Sequence, residues 1–304
     1  MKQIILLFLL LSFFACPTQS KIEANNSKNT KKSKPVVSQQ KTIPTPSYLS
    51  YSWLTKDQNT STIVNRTSVP KGYKRKNVGK GSFAEWLRYL PLFEKQHLVK
   101  LHDGSKKWNQ FAHHAVVDMD VGKADLQQCA DAVMRLQAEY HYSTKAYDKI
   151  HFNYTSGDRV SFEDWRKGRR PKVNGNKVNF VNNGKVSNGY SNFKAYLRQI
   201  FTYAGTASLS KELKSKKLKE IQAGDVFIQG GFPGHAILVL DVAINEKGEK
   251  LFMVGQSYMP AQEFHVLKNK ENKKLSPWYS TTEIHEVIET PEWTFKRSDL
   301  KGWN

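Results

Sequence analysis

The apolar positions of this chain fall into three regimes. Over residues 126–139 Leu126, Ala130, Val133, Met134 and Gln137 recur at helical spacing, which predicts a helix that begins near Cys129 and runs through Arg135 and Glu139 to about Tyr142. Asp125 stands where a cap or first-turn acid is expected. Residues 226–228 and 236–242 are instead short runs rich in β-branched side chains, separated by Gly230, Gly231, Pro233 and Gly234. They predict strand, turn, strand, with His235 at the mouth of the second strand. A turn at residues 245–248 and a further apolar run over 251–258 predict the next strand of an antiparallel hairpin. The third regime, from Pro17 to about Thr67, is rich in Ser, Thr, Asn, Lys and Pro with few large apolar residues. Such a stretch cannot offset its ordering entropy by burial, and it reads as a disordered tether. Residues 50–54, Ser-Tyr-Ser-Trp-Leu, are its exception, a partner-docking segment or a first strand.

Shorter patterns fill in the rest. Residues 82–90 predict a helix with a Ser82 and Glu85 capping box, stopped by Pro91. Residues 99–101 and 108–111 flank Asp103-Gly104 as a small hairpin, and 115–121 and 150–154 read as strands. Phe162 to Trp165 is a helical turn, 172–189 a loop or weak hairpin, 191–204 a second long helix, and 213–218 a charged helix or turn. Together these predict an α+β domain over residues 68–304, with N-terminal helices packed on a C-terminal antiparallel sheet.

Charge and the N-terminus supply an address. Lys and Arg number 47 against 27 Asp and Glu, a net +20, and residues 17–80 hold thirteen of the cations against Glu23 and Asp57. Much of the surplus therefore belongs to the tether, where it would cling weakly to acidic lipid or polymer. A regular basic motif is lacking, which argues against specific nucleic-acid recognition. Lys2 followed by an apolar run over residues 4–14 has the length of a signal-peptide core and is too short to span a bilayer. Residues 13–16, Phe-Phe-Ala-Cys, resemble a lipobox, which would make Cys16 a lipidated N-terminus; ordinary cleavage nearby is the other reading. With Cys16 acylated, Cys129 is the one remaining cysteine, a thiol without a disulfide partner in an exported protein.

The chemistry follows from that thiol. Unpaired N–H groups and the macrodipole at a helix start favour a thiolate, so Cys129 is the candidate nucleophile and a core-filling sulfur is the bland alternative. His235 is the candidate base, and Gln256, a neutral amide on an apolar strand, the candidate that orients the ring. Asp241 competes for that role but lies about 20 Å along the same strand. Gln127 and Gln128 are candidates for oxyanion contacts beside the Cys129 N–H, and Trp165 with Arg169 and Arg170 for gripping a carboxylate or sugar polymer. His113 and His114 point to opposite faces of a strand and lack zinc spacing. Arg135 and Glu139 read as a surface ion pair, and Gln262, His265 and His285 as residues that could line a cleft. No cofactor or metal is expected.

Gly224-Asp225-Val226-Phe227 followed by Gly234-His235-Ala236-Ile237 resembles the later half of NlpC-type peptidases and of cysteine- and histidine-dependent amidohydrolases that cut peptidoglycan. That resemblance implies a papain-like order of Cys129, His235 and a polar residue. Residues 70–293, with Leu-Gln-Gln-Cys at 126–129, Gly-Gly-Phe-Pro-Gly-His at 230–235 and Ser-Pro-Trp-Tyr at 276–279, closely resemble a bacterial family called domain of unknown function 4846, which implies no reaction. The expectation is a monomeric, exported and lipid-anchored cysteine hydrolase on the periplasmic face of a bacterial membrane or at the cell surface. Its substrate would be an amide or ester, peptidoglycan peptide being the candidate. The alternative is a cell-envelope lipoprotein that binds glycan or peptide on the same scaffold.

Overall fold

A computed structural model describes residues 42–54 and 61–303. Its centre is the strand His235–Asn245, which is buried over most of its length because a sheet covered on both faces requires apolar residues on both. Around it the antiparallel order is His113–Val116, His265–Leu267, Lys250–Gln256, His235–Asn245, Val226–Gln229, Leu300–Gly302 and Lys214–Ser215. Two short strands pair outside this order. Tyr73–Arg75 lies against the far end of the central strand, and Tyr279–Ser280 against the start of Lys250–Gln256.

A register slip interrupts the central pairing. Met253 stands opposite Asp241 while Val254 stands opposite Val239, so Leu240 is the extra residue of a bulge. The slip carries the inward alternation from Ala236, Leu238 and Leu240 to Ala243 on the helical face, and from Ile237 and Val239 to Val242 on the other. The helical layer contains Cys129–Ser143 and Tyr190–Tyr203, and the second layer includes Ile221, Phe227, Phe252, Ile288 and Phe295. The observed class is α+β.

Several local expectations shift. The helix Phe83–Arg88 is capped by Ser82, whose Oγ accepts from Glu85 N at 3.2 Å, but Glu85 turns its carboxylate to Gly81 N instead of closing the box. A hairpin of Arg169–Asn174 with Lys177–Asn182 takes up the first part of the stretch expected as a loop or weak hairpin. Thr206–Glu212 is a helix, and residues 213–218, expected as a charged helix or turn, hold the short strand Lys214–Ser215 and lead into the 3-10 turn Leu218–Glu220.

Packing also begins before position 68. Tyr51 donates its hydroxyl to Trp86 O at 2.9 Å, Trp86 donates to Ser50 O at 2.9 Å, and Ile63 is buried. Tyr51 and Trp53, with Ile63 and Val64, supply the apolar area that the composition of this stretch does not lead one to expect. The signal segment, Cys16 and the tether up to residue 41 lie outside the described residues.

Candidate functional site

Cys129 is the first residue of its helix, and Gln128 before it has extended backbone. Asp131 caps this end by accepting from Gln128 N at 3.1 Å; Asp125, expected in that role, instead accepts from Ala261 N at 2.7 Å and Gln128 Nε2 at 3.0 Å. The helix start is thereby tied to the loop that follows the Gln256 strand.

His235 is buried at the start of the central strand, and its Nε2 lies 2.8 Å from Gln256 Oε1. Gln256 is fully buried and donates Nε2 to Glu292 Oε2 at 2.7 Å, where Lys107 Nζ also donates at 2.5 Å. Glu292 accepts only, so the Gln256 amide must turn its oxygen to the imidazole. The Nε2 of His235 therefore carries the proton, and Nδ1 holds the lone pair. Tyr258, Trp293 and Phe295 enclose the ring at centroid distances of 4.7, 5.3 and 5.7 Å.

Cys129, His235 and Asp131 line one cleft of about 370 Å³, walled by residues 231–234, Tyr258, Met259 and Trp293. The Ala236 backbone N–H faces the Cys129 sulfur, which places the thiol beside the residue that follows His235. Its environment runs against the expectation for a helix start. Burial, reinforced by Asp131, pushes the thiol up to about 11, and burial brings the His235 imidazole down to about 4. Both groups are neutral near pH 7. Asp131 is itself held well above the usual carboxylate range by burial, with Oδ1 lacking a hydrogen-bond partner among the described residues.

Iodoacetamide labelling of Cys129, followed by peptide mass mapping, is accordingly expected to accelerate about tenfold per pH unit through pH 9 and 10, because the thiolate is the reacting form. A rate already level at neutral pH would show a thiolate at rest and contradict this environment.

The remaining candidates divide. Gln128 lines the cleft, but Gln127 directs its Oε1 to Arg135 Nη1 at 2.6 Å and lines a neighbouring cavity. Trp165 and Arg169 do not line the cleft: Trp165 packs beneath Arg170 at 3.9 Å and donates to Asn192, while Arg169 pairs with Asp164 at 3.1 Å and covers Phe180. Their own helical turn and hairpin absorb them. Arg135 and Glu139 are buried, since the sheet and the helix Tyr190–Tyr203 enclose this face; Tyr190 donates to Glu139 at 2.7 Å. His265 and Gln262 are buried and His285 is exposed. Among the described residues no group of three or more His, Cys, Asp or Glu is placed to hold a metal ion, and no helix is long and apolar enough to cross a membrane.

Sequence reasoning does not reach Glu292 and Lys107, because neither lies near Gln256 along the chain. Gly234 has a strict steric reason: an added Cβ would fall 2.5 Å from both Gly231 O and Thr206 Oγ1. Gly234→Ala is expected to cost about 1–3 kcal/mol through this overpacking, read from the urea midpoint; an unchanged midpoint would show that the wall yields.

No curated protein and no solved structure matches the chain. The model of the family described as domain of unknown function 4846 matches residues 63–302, and the chain belongs to that family.

Proposed function

We propose that this protein is an exported, lipid-anchored cysteine hydrolase with a papain-like arrangement of Cys129, His235 and Gln256, acting on an amide or ester of a cell-envelope peptide. The observation that carries the reading is the shared cleft, lined both by a thiol at a helix start and by an imidazole oriented by a buried amide. The difference between about 11 and about 4 in their proton affinities corresponds to about 10 kcal/mol against an ion pair at rest, before mutual attraction. Proton transfer therefore accompanies attack. As Sγ bonds to the substrate carbonyl carbon, its proton passes to His235 Nδ1, and the developing oxyanion takes the backbone N–H of Cys129, which has no partner within the helix. His235 returns the proton to the leaving amine or alcohol as the carbon–heteroatom bond breaks. Water, deprotonated by the same imidazole, then cleaves the thioester and restores the thiol.

The unactivated thiol favours a second reading, a lipoprotein that binds the same peptide without cutting it. Incubation with stem peptides purified from bacterial peptidoglycan, read by mass spectrometry, separates the two. Products with the natural protein and none with Cys129→Ala support the hydrolase. Retention of intact peptide by both proteins, without product, supports the binder.

A further inference from the structure

A second cavity, of about 280 Å³, adjoins the Cys129 cleft, and Leu126 and Phe201 line both. Arg135 forms its inner side with all three of its guanidinium nitrogens engaged: it donates to Gln127 Oε1, to Glu139 and to both the backbone and the carboxylate of Asp120. This arrangement fixes the Gln127 amide. A guanidinium cannot accept a hydrogen bond, so Oε1 must face it and Nε2 must face elsewhere. Gln127 is 2 % exposed, and its Nε2 is buried without an acceptor among the described residues. A buried donor with no acceptor is costly, by about 1–3 kcal/mol, and marks a place where a ligand oxygen would be stabilised.

The rim supplies charge of the matching sign. Lys123, Lys194 and Arg198 line the cavity and are exposed, whereas Asp120 is the one acid among the described residues of its lining. Partial burial opposes ionisation of Asp120, but the Arg135 guanidinium, the Lys194 ammonium and a backbone hydrogen bond together outweigh it, hold the carboxyl below its usual range and keep it charged. That charge disfavours a doubly charged anion such as a phosphate monoester. Leu126, Leu197 and Phe201 offer apolar wall to a short carbon chain.

We propose that this cavity is a carboxylate-binding subsite, so that the ligand of the Cys129 cleft is an acyl compound or amide bearing a free carboxylate. The bond that is broken rests on the hydrolase reading; the subsite serves a hydrolase or a binder equally. The carboxylate accepts from Gln127 Nε2 and is attracted by Lys194 and Arg198, while its carbon chain passes between Leu126 and Phe201 toward the thiol.

The test is an NMR titration of the full chain with N-acetylglycine and with its uncharged twin N-acetylglycinamide. The acid is expected to bind at least about tenfold more tightly than the amide, the size of one charge-assisted hydrogen bond. The exposed pair Lys194→Glu and Arg198→Glu, introduced together, is expected to remove that preference, and Gln127→Met to weaken the acid alone. Equal binding of the two probes, or a preference that survives charge reversal, overturns the subsite. Absence of peptide cleavage overturns the hydrolase and moves none of these readings, so the two failures are distinct.

Discussion

Asp241→Ala is expected to lower the stability of the folded protein by about 3–5 kcal/mol, the cost of leaving buried charge without its partner. Asp241 is fully buried at the bulge of the central strand. Its Oδ2 accepts from Arg75 Nε at 2.7 Å, and its Oδ1 from Arg88 Nη2 at 2.8 Å, Arg88 Nε at 3.0 Å and Val242 N at 2.9 Å. Arg75 comes from an edge strand and Arg88 from the helix capped by Ser82, so one carboxylate ties two N-terminal elements to the strand that presents His235. Truncation would leave two guanidinium groups facing each other with little access to water. Against a total stability of about 5–15 kcal/mol, that loss is large. Urea denaturation followed by tryptophan fluorescence measures it, and Asp241→Asn, which keeps the shape without the charge, should fall between. A loss below about 1 kcal/mol would show that both arginines reach solvent and that the strand does not depend on them.

Asp241 also illustrates which features of the chain are legible in the sequence. Its distance from His235 follows from strand geometry, but two arginines more than a hundred residues away cannot be seen from spacing. The Cys129 helix and the His235 hairpin are legible because their apolar periods differ and because glycine and proline mark the turn between the strands. Gln256 stands out as an amide among apolar neighbours, and it does hydrogen-bond His235. The electrostatic state of the cysteine is not legible. The helix start is local and favours a thiolate, whereas the burial that outweighs it is produced by Tyr258, Met259, Trp293 and the loop 231–234, which converge only on folding. The same limit explains Arg135 and Glu139, whose i, i+4 spacing fits a solvated pair and a buried one equally, and Trp165 with Arg169, whose composition says nothing of the face they occupy.

Under the hydrolase reading, Cys129→Ala, His235→Ala and the double variant are each expected to reduce kcat/KM by about four to six orders of magnitude, to one shared background. The equality is the informative part. Nucleophile and base act on a single proton, so the loss of either forfeits the whole step and the second deletion removes nothing more. Gln256→Met should sit above that floor, losing about two to four orders of magnitude, because the imidazole remains but its tautomer is no longer specified. His235 would then be able to place its proton on Nδ1, the atom that must accept from sulfur. Glu292→Gln should have a smaller effect of the same kind, since the Gln256 amide could turn over and offer its nitrogen to the ring. His235→Ala also opens a space among Tyr258, Trp293 and Phe295, so its urea midpoint is needed beside its rate. Cys129→Ala opens almost none and is the cleaner measurement. If Cys129→Ala keeps more than a small fraction of the natural rate, or if the two single losses multiply in the double variant, the thiol and the imidazole do not share a proton and the binding reading takes precedence.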